Sequence, residues 1–131
     1  MKIVAVCGSF HKEEIQKMLE YAMDEAHSND SEICEIVWVP GSMEAPLALE
    51  RLLKRNDVDA AITLGIIERG ETKHGLVMGQ AVTRAIIDLQ IKHNKPIGLG
   101  IIGPGAENHH IEPRLEPHAR AAVAAVIIMA E

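Results

Sequence analysis

Residues 59–74 read DAAITLGIIERGETKH, and their pattern decides the fold. The stretch is apolar without polar alternation through Ile67, breaks at Gly70-Glu71-Thr72, and passes at His74 into a long segment of helical period. A strand that is apolar on both faces must be covered on both. That requirement is met by a parallel sheet packed between helices.

The same alternation of strand and helix recurs on either side. Residues 2–7 (KIVAVC) form a β-rich run ended by Gly8-Ser9, and Ile15, Met18, Leu19, Ala22, Met23 and Ala26 then make the apolar stripe of an amphipathic helix. Residues 33–39 (ICEIVWV) read as a second strand stopped by Pro40-Gly41; Ser42 is placed as an N-cap, and Leu47, Leu49, Leu52 and Leu53 carry a helix to about Arg55. Downstream, a helix is predicted over 75–93, closed by Asn94-Lys95-Pro96, then a fourth strand over 97–102, a turn at 103–105 and a last helix over 117–130. Strands separated by single helices predict an α/β chain with a parallel sheet, and 131 residues suffice for one domain, 1–131, but not for two.

Composition narrows the function classes. The chain is 47% hydrophobic and 24% charged, an ordinary globular balance, but its only aromatics are Phe10, Tyr21 and Trp38, so the core must be aliphatic. A net charge of −6 with no Lys/Arg-rich run argues against nucleic acid and anionic membranes as partners, while a local cleft can still attract an anionic small molecule. Cys7 and Cys34 lack the spacing of a redox or zinc motif and read as buried thiols in a reducing compartment. The chain shows no signal-peptide pattern and no apolar run of about 18 residues, so a cytoplasmic location is expected.

Two helices carry more apolar residues than one core can use. In the third, Met78, Ala81, Val82, Ala85 and Leu89 form one stripe while Val77, Ile87 and Ile91 lie on another face, and residues 121–130 of the last are all apolar. Helices apolar on more than one face are buried on more than one side, which predicts homo-oligomerisation.

Four features point to chemistry, each with a plainer structural reading beside it. After the third strand, backbone N–H groups at the helix start and the helix dipole suit an anion, with His74 able to move protons beside it; an ordinary capped turn would use Gly70 and Thr72 alike. The loop from Pro40 to Pro46 adds N–H groups and Glu44, whose carboxylate can accept two hydroxyl bonds or merely complement the helix dipole. Phe10 at the end of the first strand offers a ring for stacking or a hydrophobic staple. Arg114, in a polar connector, suits a phosphate or plain solvent. All occupy the strand ends where open α/β sheets bind ligands.

Two further patterns are set aside. Gly98, Gly100 and Gly103 spell a dinucleotide fingerprint, but they lie within a strand instead of between strand and helix, which indicates chance or close packing. Among the 7 histidines, His109 and His110 are adjacent and expected to diverge, and the others lack metal-ligand spacing, so no metal is expected.

Taken together, Trp38 to Pro46 (WVPGSMEAP), Leu64 to His74 (LGIIERGETKH) and the spacing to Arg114 resemble the lumazine synthase family over nearly the whole chain. The turn at 103–105 is more like its archaeal members. The resemblance implies a three-layer αβα sandwich with a flavodoxin-like four-stranded parallel sheet, assembled as pentamers or multiples of pentamers. It implies condensation of 5-amino-6-(D-ribitylamino)uracil with 3,4-dihydroxy-2-butanone 4-phosphate to 6,7-dimethyl-8-ribityllumazine, phosphate and water, with no cofactor. By the same resemblance Phe10 stacks on the pyrimidine, Ser42, Met43 and Glu44 hold the ribityl chain and ring, and Ile66, Ile67 and Glu68 line the ring edge. Glu71 and Thr72 bind phosphate through backbone N–H groups with Arg114 from a neighbouring subunit, His74 transfers protons, and Leu99 closes the pocket from the fourth strand. The chain departs from the family pattern at His11, Glu68 and Gly75-Leu76. The alternatives are the archaeal type of riboflavin synthase, which has no phosphate to bind, and a flavin-binding shell without turnover.

Overall fold

The computed structural model describes residues 1–130. The chain runs β1 (Lys2–Gly8), α1 (Lys12–Ser28), β2 (Glu32–Val39), a 3-10 turn (Ser42–Glu44), α2 (Ala45–Leu53), β3 (Ala60–Glu68), α3 (His74–His93), β4 (Ile97–Ala106), α4 (Asn108–Ile111), a second 3-10 turn (Glu112–Arg114) and α5 (Leu115–Met129). The strands lie in the order β2-β1-β3-β4, and every pair is parallel. This is the flavodoxin-like order, in which the chain builds one way from β1 and then returns to its other side. Strand order therefore reverses between β1 and β3, and the crevice at their carboxyl ends is where such sheets hold ligands.

Alternate residues of β1 feed two cores. Ile3, Ala5 and Cys7 pack with Ile15, Met18 and Ala22 of α1 and Ala119 and Val123 of α5, whereas Val4 and Val6 pack with Leu49 and Leu53 of α2 and Val82 and Ile86 of α3. Helices thus cover both faces, giving the expected αβα sandwich. Each fully buried Ile or Leu here contributes roughly 1.5–3 kcal/mol of transfer free energy. Burial also pushes the Cys7 thiol up to about 12, so it stays protonated.

The structure corrects several expectations. Cys34 is exposed, because β2 is an edge strand and its alternate residues escape cover. Ser42 does not cap with its side chain; Gly41 is the N-cap of the 3-10 turn, and α2 starts only at Ala45. On α3, Ile86 is the deepest large side chain and Ala81 is exposed, so the core stripe is rotated from the predicted one. The segment 103–105 does not end β4. The strand continues to Ala106 because Gly103 (φ 100) and Gly105 (φ 86) take left-handed torsions that let it bend without leaving the sheet. A β-carbon at Gly103 would stand 2.2 Å from the Ile67 carbonyl oxygen.

The close-packing reading of the earlier glycines holds. A β-carbon at Gly98 would lie 2.1 Å from the Ala122 carbonyl oxygen, so β4 and α5 meet backbone to backbone. The second apolar face of α3 is open, with Val77, Ile87 and Ile91 exposed together with Leu76, as are Ile128 and Met129 at the end of α5. No helix among the described residues is long and apolar enough to cross a membrane.

Candidate active site

Between the ends of β1 and β3, a cavity of about 310 Å³ is lined by Phe10, His11, Ile66, Ile67, Glu68, Gly70, Thr72, His74, Gly75 and Met78. The lining follows from the topology. Cys7 pairs with Leu64 across adjacent strands, so the turn after β1 and the last residues of β3 arrive at the same height. Gly75 then lets the start of α3 close onto the end of β3, since a β-carbon there would be 2.9 Å from the Glu68 carbonyl oxygen.

Phe10 is 69% exposed, and its ring is the bare one of the three aromatics. Lys12 lies over Trp38 at 5.0 Å and Arg120 over Tyr21 at 5.5 Å, so both of the other rings are faced by cations. The Pro40–Pro46 loop flanks it: a β-carbon at Gly41 would be 3.0 Å from Phe10 Cε2 and 3.6 Å from Glu44 Oε1. Met43 and Glu44 are exposed beside this plate. Ser42 is turned the other way, nearly buried, with its Oγ 3.0 Å from where a β-carbon on Gly65 would sit.

The turn from Gly70 to Lys73 stands between this cavity and a second, of about 410 Å³, lined by Arg69, Glu71, Thr72, Lys73, Leu76, Pro104 and Gly105 among others. Thr72 Oγ1 accepts the His74 N–H at 3.3 Å, but the N-cap of α3 is Lys73, one residue later than the capped-turn reading places it, and it makes no side-chain cap bond. Among the described residues, the N–H groups of Gly70, Glu71, Thr72 and Lys73 have no hydrogen-bond acceptor. Unpaired backbone donors thus lie at the amino end of a 20-residue helix, the end whose dipole favours an anion. Lys73 lines it without a carboxylate partner among the described residues, whereas Arg69 is held 3.2 Å from Glu107.

Leu99 and Arg114 are not brought to the cavity by their own chain. Leu99 pairs with Thr63, on the order of 16 Å before the end of β3, and is half-exposed on edge strand β4. Arg114 Nη1 donates to the His110 carbonyl at 3.0 Å and borders a separate hollow of about 270 Å³ with Pro104, His110 and His118. There partial burial, helped by the Arg114 charge, holds His118 below its ordinary pKa.

The adjacent histidines do not diverge. The rings of His109 and His110 lie 4.0 Å apart, and their nitrogens and a Glu107 oxygen fall within 4.8 Å of one another. These groups serve the start of α4: Glu107 and His110 close a capping box, with His110 Nδ1 accepting the Glu107 N–H at 3.0 Å. Pattern reading missed His11, Lys73 and Met78 as lining residues. For the first two the signal was present, as polar residues flanking the aromatic and the histidine.

Fold and rim define a flavodoxin-like α/β protein with a cavity and a histidine at its switch point. The sequence pattern of 6,7-dimethyl-8-ribityllumazine synthase matches residues 1–131. Proteins of that name are 38% identical in Metallosphaera sedula (99% of this chain, 86% of the relative) and 41% identical in Staphylothermus marinus (98% and 85%). A third, from Methanobrevibacter smithii, is 40% identical (95% and 90%). The chain belongs to the lumazine synthase family, transferases of riboflavin biosynthesis whose matching relatives are mostly archaeal.

Proposed function

We propose that this chain, acting as one domain in the cytoplasm, condenses 5-amino-6-(D-ribitylamino)uracil with 3,4-dihydroxy-2-butanone 4-phosphate, releasing 6,7-dimethyl-8-ribityllumazine, phosphate and water. The observation that carries the reading is the cavity that gathers Phe10, Ile66, Ile67, Glu68 and His74 beside unpaired backbone donors. Phe10 stacks on the pyrimidine, residues 66–68 line its edge, and Met43 and Glu44, with Ser42 beneath them, hold the ribityl chain. The N–H groups of Glu71 and Thr72 bind the phosphate.

The chemistry needs placement and proton shuttling. The substrate amine attacks the ketone carbonyl and loses water to form an imine; phosphate is then eliminated, the resulting enol tautomerises to a new ketone, and the second amine adds to that carbonyl and expels a second water to close the ring. His74 takes and returns protons while the phosphate site stabilises the leaving anion. No organic cofactor or metal enters this scheme.

Arg114 and Leu99 do not line the cavity of their own chain, so they would serve that of an adjacent copy. The open apolar faces of α3 and α5 support assembly, with a pentamer as the smallest unit. Neither archaeal-type riboflavin synthase nor a shell without turnover is favoured by the family match.

Mixing the purified protein with the two substrates should produce lumazine absorbance and equimolar phosphate. A rate no greater than the uncatalysed condensation overturns the reading. Light scattering should return a mass of at least five chains; a monomer at micromolar concentration would contradict the shared site.

A further inference from the structure

His11 Nε2 contacts the Glu68 carboxylate inside the cavity, joining the turn after β1 to the end of β3. Elements that bring them together are the ones flanking the switch point, and both side chains remain partly open to the space beside Phe10, at 27% and 48% exposure. His11 adopts a left-handed conformation (φ 60, ψ 44) uncommon outside glycine. Its carbonyl accepts the Ile15 N–H at 3.0 Å to begin α1, while its ring makes no capping bond. The backbone thus holds an unusual torsion while the imidazole engages Glu68, and such torsions persist where the surroundings demand them.

A buried ion pair between structural elements usually has both partners closed off. This one faces a cavity whose other walls are largely apolar, Phe10, Ile66, Ile67 and Met78. It presents two functions side by side: a carboxylate that only accepts, with one oxygen engaged by His11 Nε2–H and the other free, and an imidazole whose Nδ1 donates when the ring carries both hydrogens. A heterocyclic lactam edge, with a ring N–H next to a carbonyl, offers the complementary pair. We propose that His11 and Glu68 form one specificity-determining unit that reads the N–H/C=O edge of the pyrimidinedione stacked on Phe10, Glu68 accepting the ring N–H and His11 donating to the adjacent carbonyl. This rests on the substrate assignment above and adds what selects the heterocycle.

The unit is separable from the proton-transfer and phosphate groups by kinetics. Glu68→Leu keeps the approximate size but removes the acceptor, and His11→Gly accepts the left-handed torsion while removing the imidazole, so both should fold. Each should raise KM for 5-amino-6-(D-ribitylamino)uracil about 10- to 100-fold, with kcat and KM for the butanone phosphate within about twofold. The double variant should be no worse than the worse single one, because partners in a pair are not additive. A uracil methylated at the nitrogen between its two carbonyls should be at least about tenfold poorer than the parent for the wild-type chain, and the variants should lose that preference.

Equal shifts in both KM values, additive effects, or a methyl discrimination unchanged in the variants would each overturn the proposal. Failure of the wild-type chain to make lumazine removes the substrate reading as well; an active wild type with unaffected variants removes the pair alone.

Discussion

At the carboxyl end of α3, Lys92 Nζ lies 2.8 Å from Glu50 and His93 contacts the same carboxylate, while Asn94 turns left-handed (φ 51) and the Gln90 side chain accepts the Ile97 N–H at 3.0 Å. Lys95 continues the pattern by donating to the Leu53 and Arg55 carbonyls at the end of α2, at 2.9 and 2.8 Å. At the amino end, Thr72 Oγ1 takes the His74 N–H, and the four N–H groups from Gly70 to Lys73 have no acceptor among the described residues. One helix therefore has a closed end and an open one. The closure is made by side chains tied to α2, since the Ile91, Lys92 and His93 carbonyls also have no donor among the described residues; what distinguishes the amino end is that its unpaired donors lie on the edge where open α/β sheets bind ligands.

Removing cations and donors at the two ends should separate function from stability. The largest effect is expected from Arg114→Ala, the cation that would complete the open end from a neighbouring copy: KM for the butanone phosphate should rise about 100-fold with kcat little changed. An unchanged KM would leave the open end without its cation. His74→Ala should lower kcat about tenfold with modest change in either KM, less than the 10²–10⁴ common for acid/base groups because the uncatalysed condensation is facile. Full kcat in this variant would remove the proton-transfer role.

At the closed end the readout should move to stability. Lys95→Met deletes both bonds to the end of α2 and should cost about 1–2 kcal/mol in urea unfolding, with steady-state rates unchanged. The smallest effect is a pH dependence. Hydrogen bonds from Lys92 and His93 hold the Glu50 carboxyl down at about 2, against an ordinary 4.5. Its folded value is depressed, so its contribution is present above about 4.5 and is lost as pH falls towards 2. Glu50→Gln should flatten the melting temperature over that window, and an unaltered slope would assign the acid sensitivity elsewhere.

Continuous apolar runs made the architecture legible, because both faces of β1 and β3 are buried and leave no room for polar alternation. The local grammar of helix starts also located Thr72 and His74 at one rim with Phe10, Ile66 and Ile67. What escaped were relations between distant segments. β4 continues through Gly103 and Gly105 because glycine torsions that suit a turn also suit a bent strand. Cys34 is open because an edge position depends on strand order, which a seven-residue pattern does not carry. His11 and Glu68 meet only because β1 and β3 are neighbours, and neither residue alone suggests the other.

Cys7 has one more consequence. It sits at 0% exposure in the interior strand β1, protonated and sealed between helices. A thiol-specific reagent reaches it only when that strand opens, so in a Cys34→Ser background its modification rate is a built-in clock for opening of the central strand, readable by mass spectrometry without denaturant. If ligand occupies the rim at the end of the same strand, the clock should slow in proportion to occupancy, turning one silent sulfur into a gauge of how binding at the surface is felt at the centre.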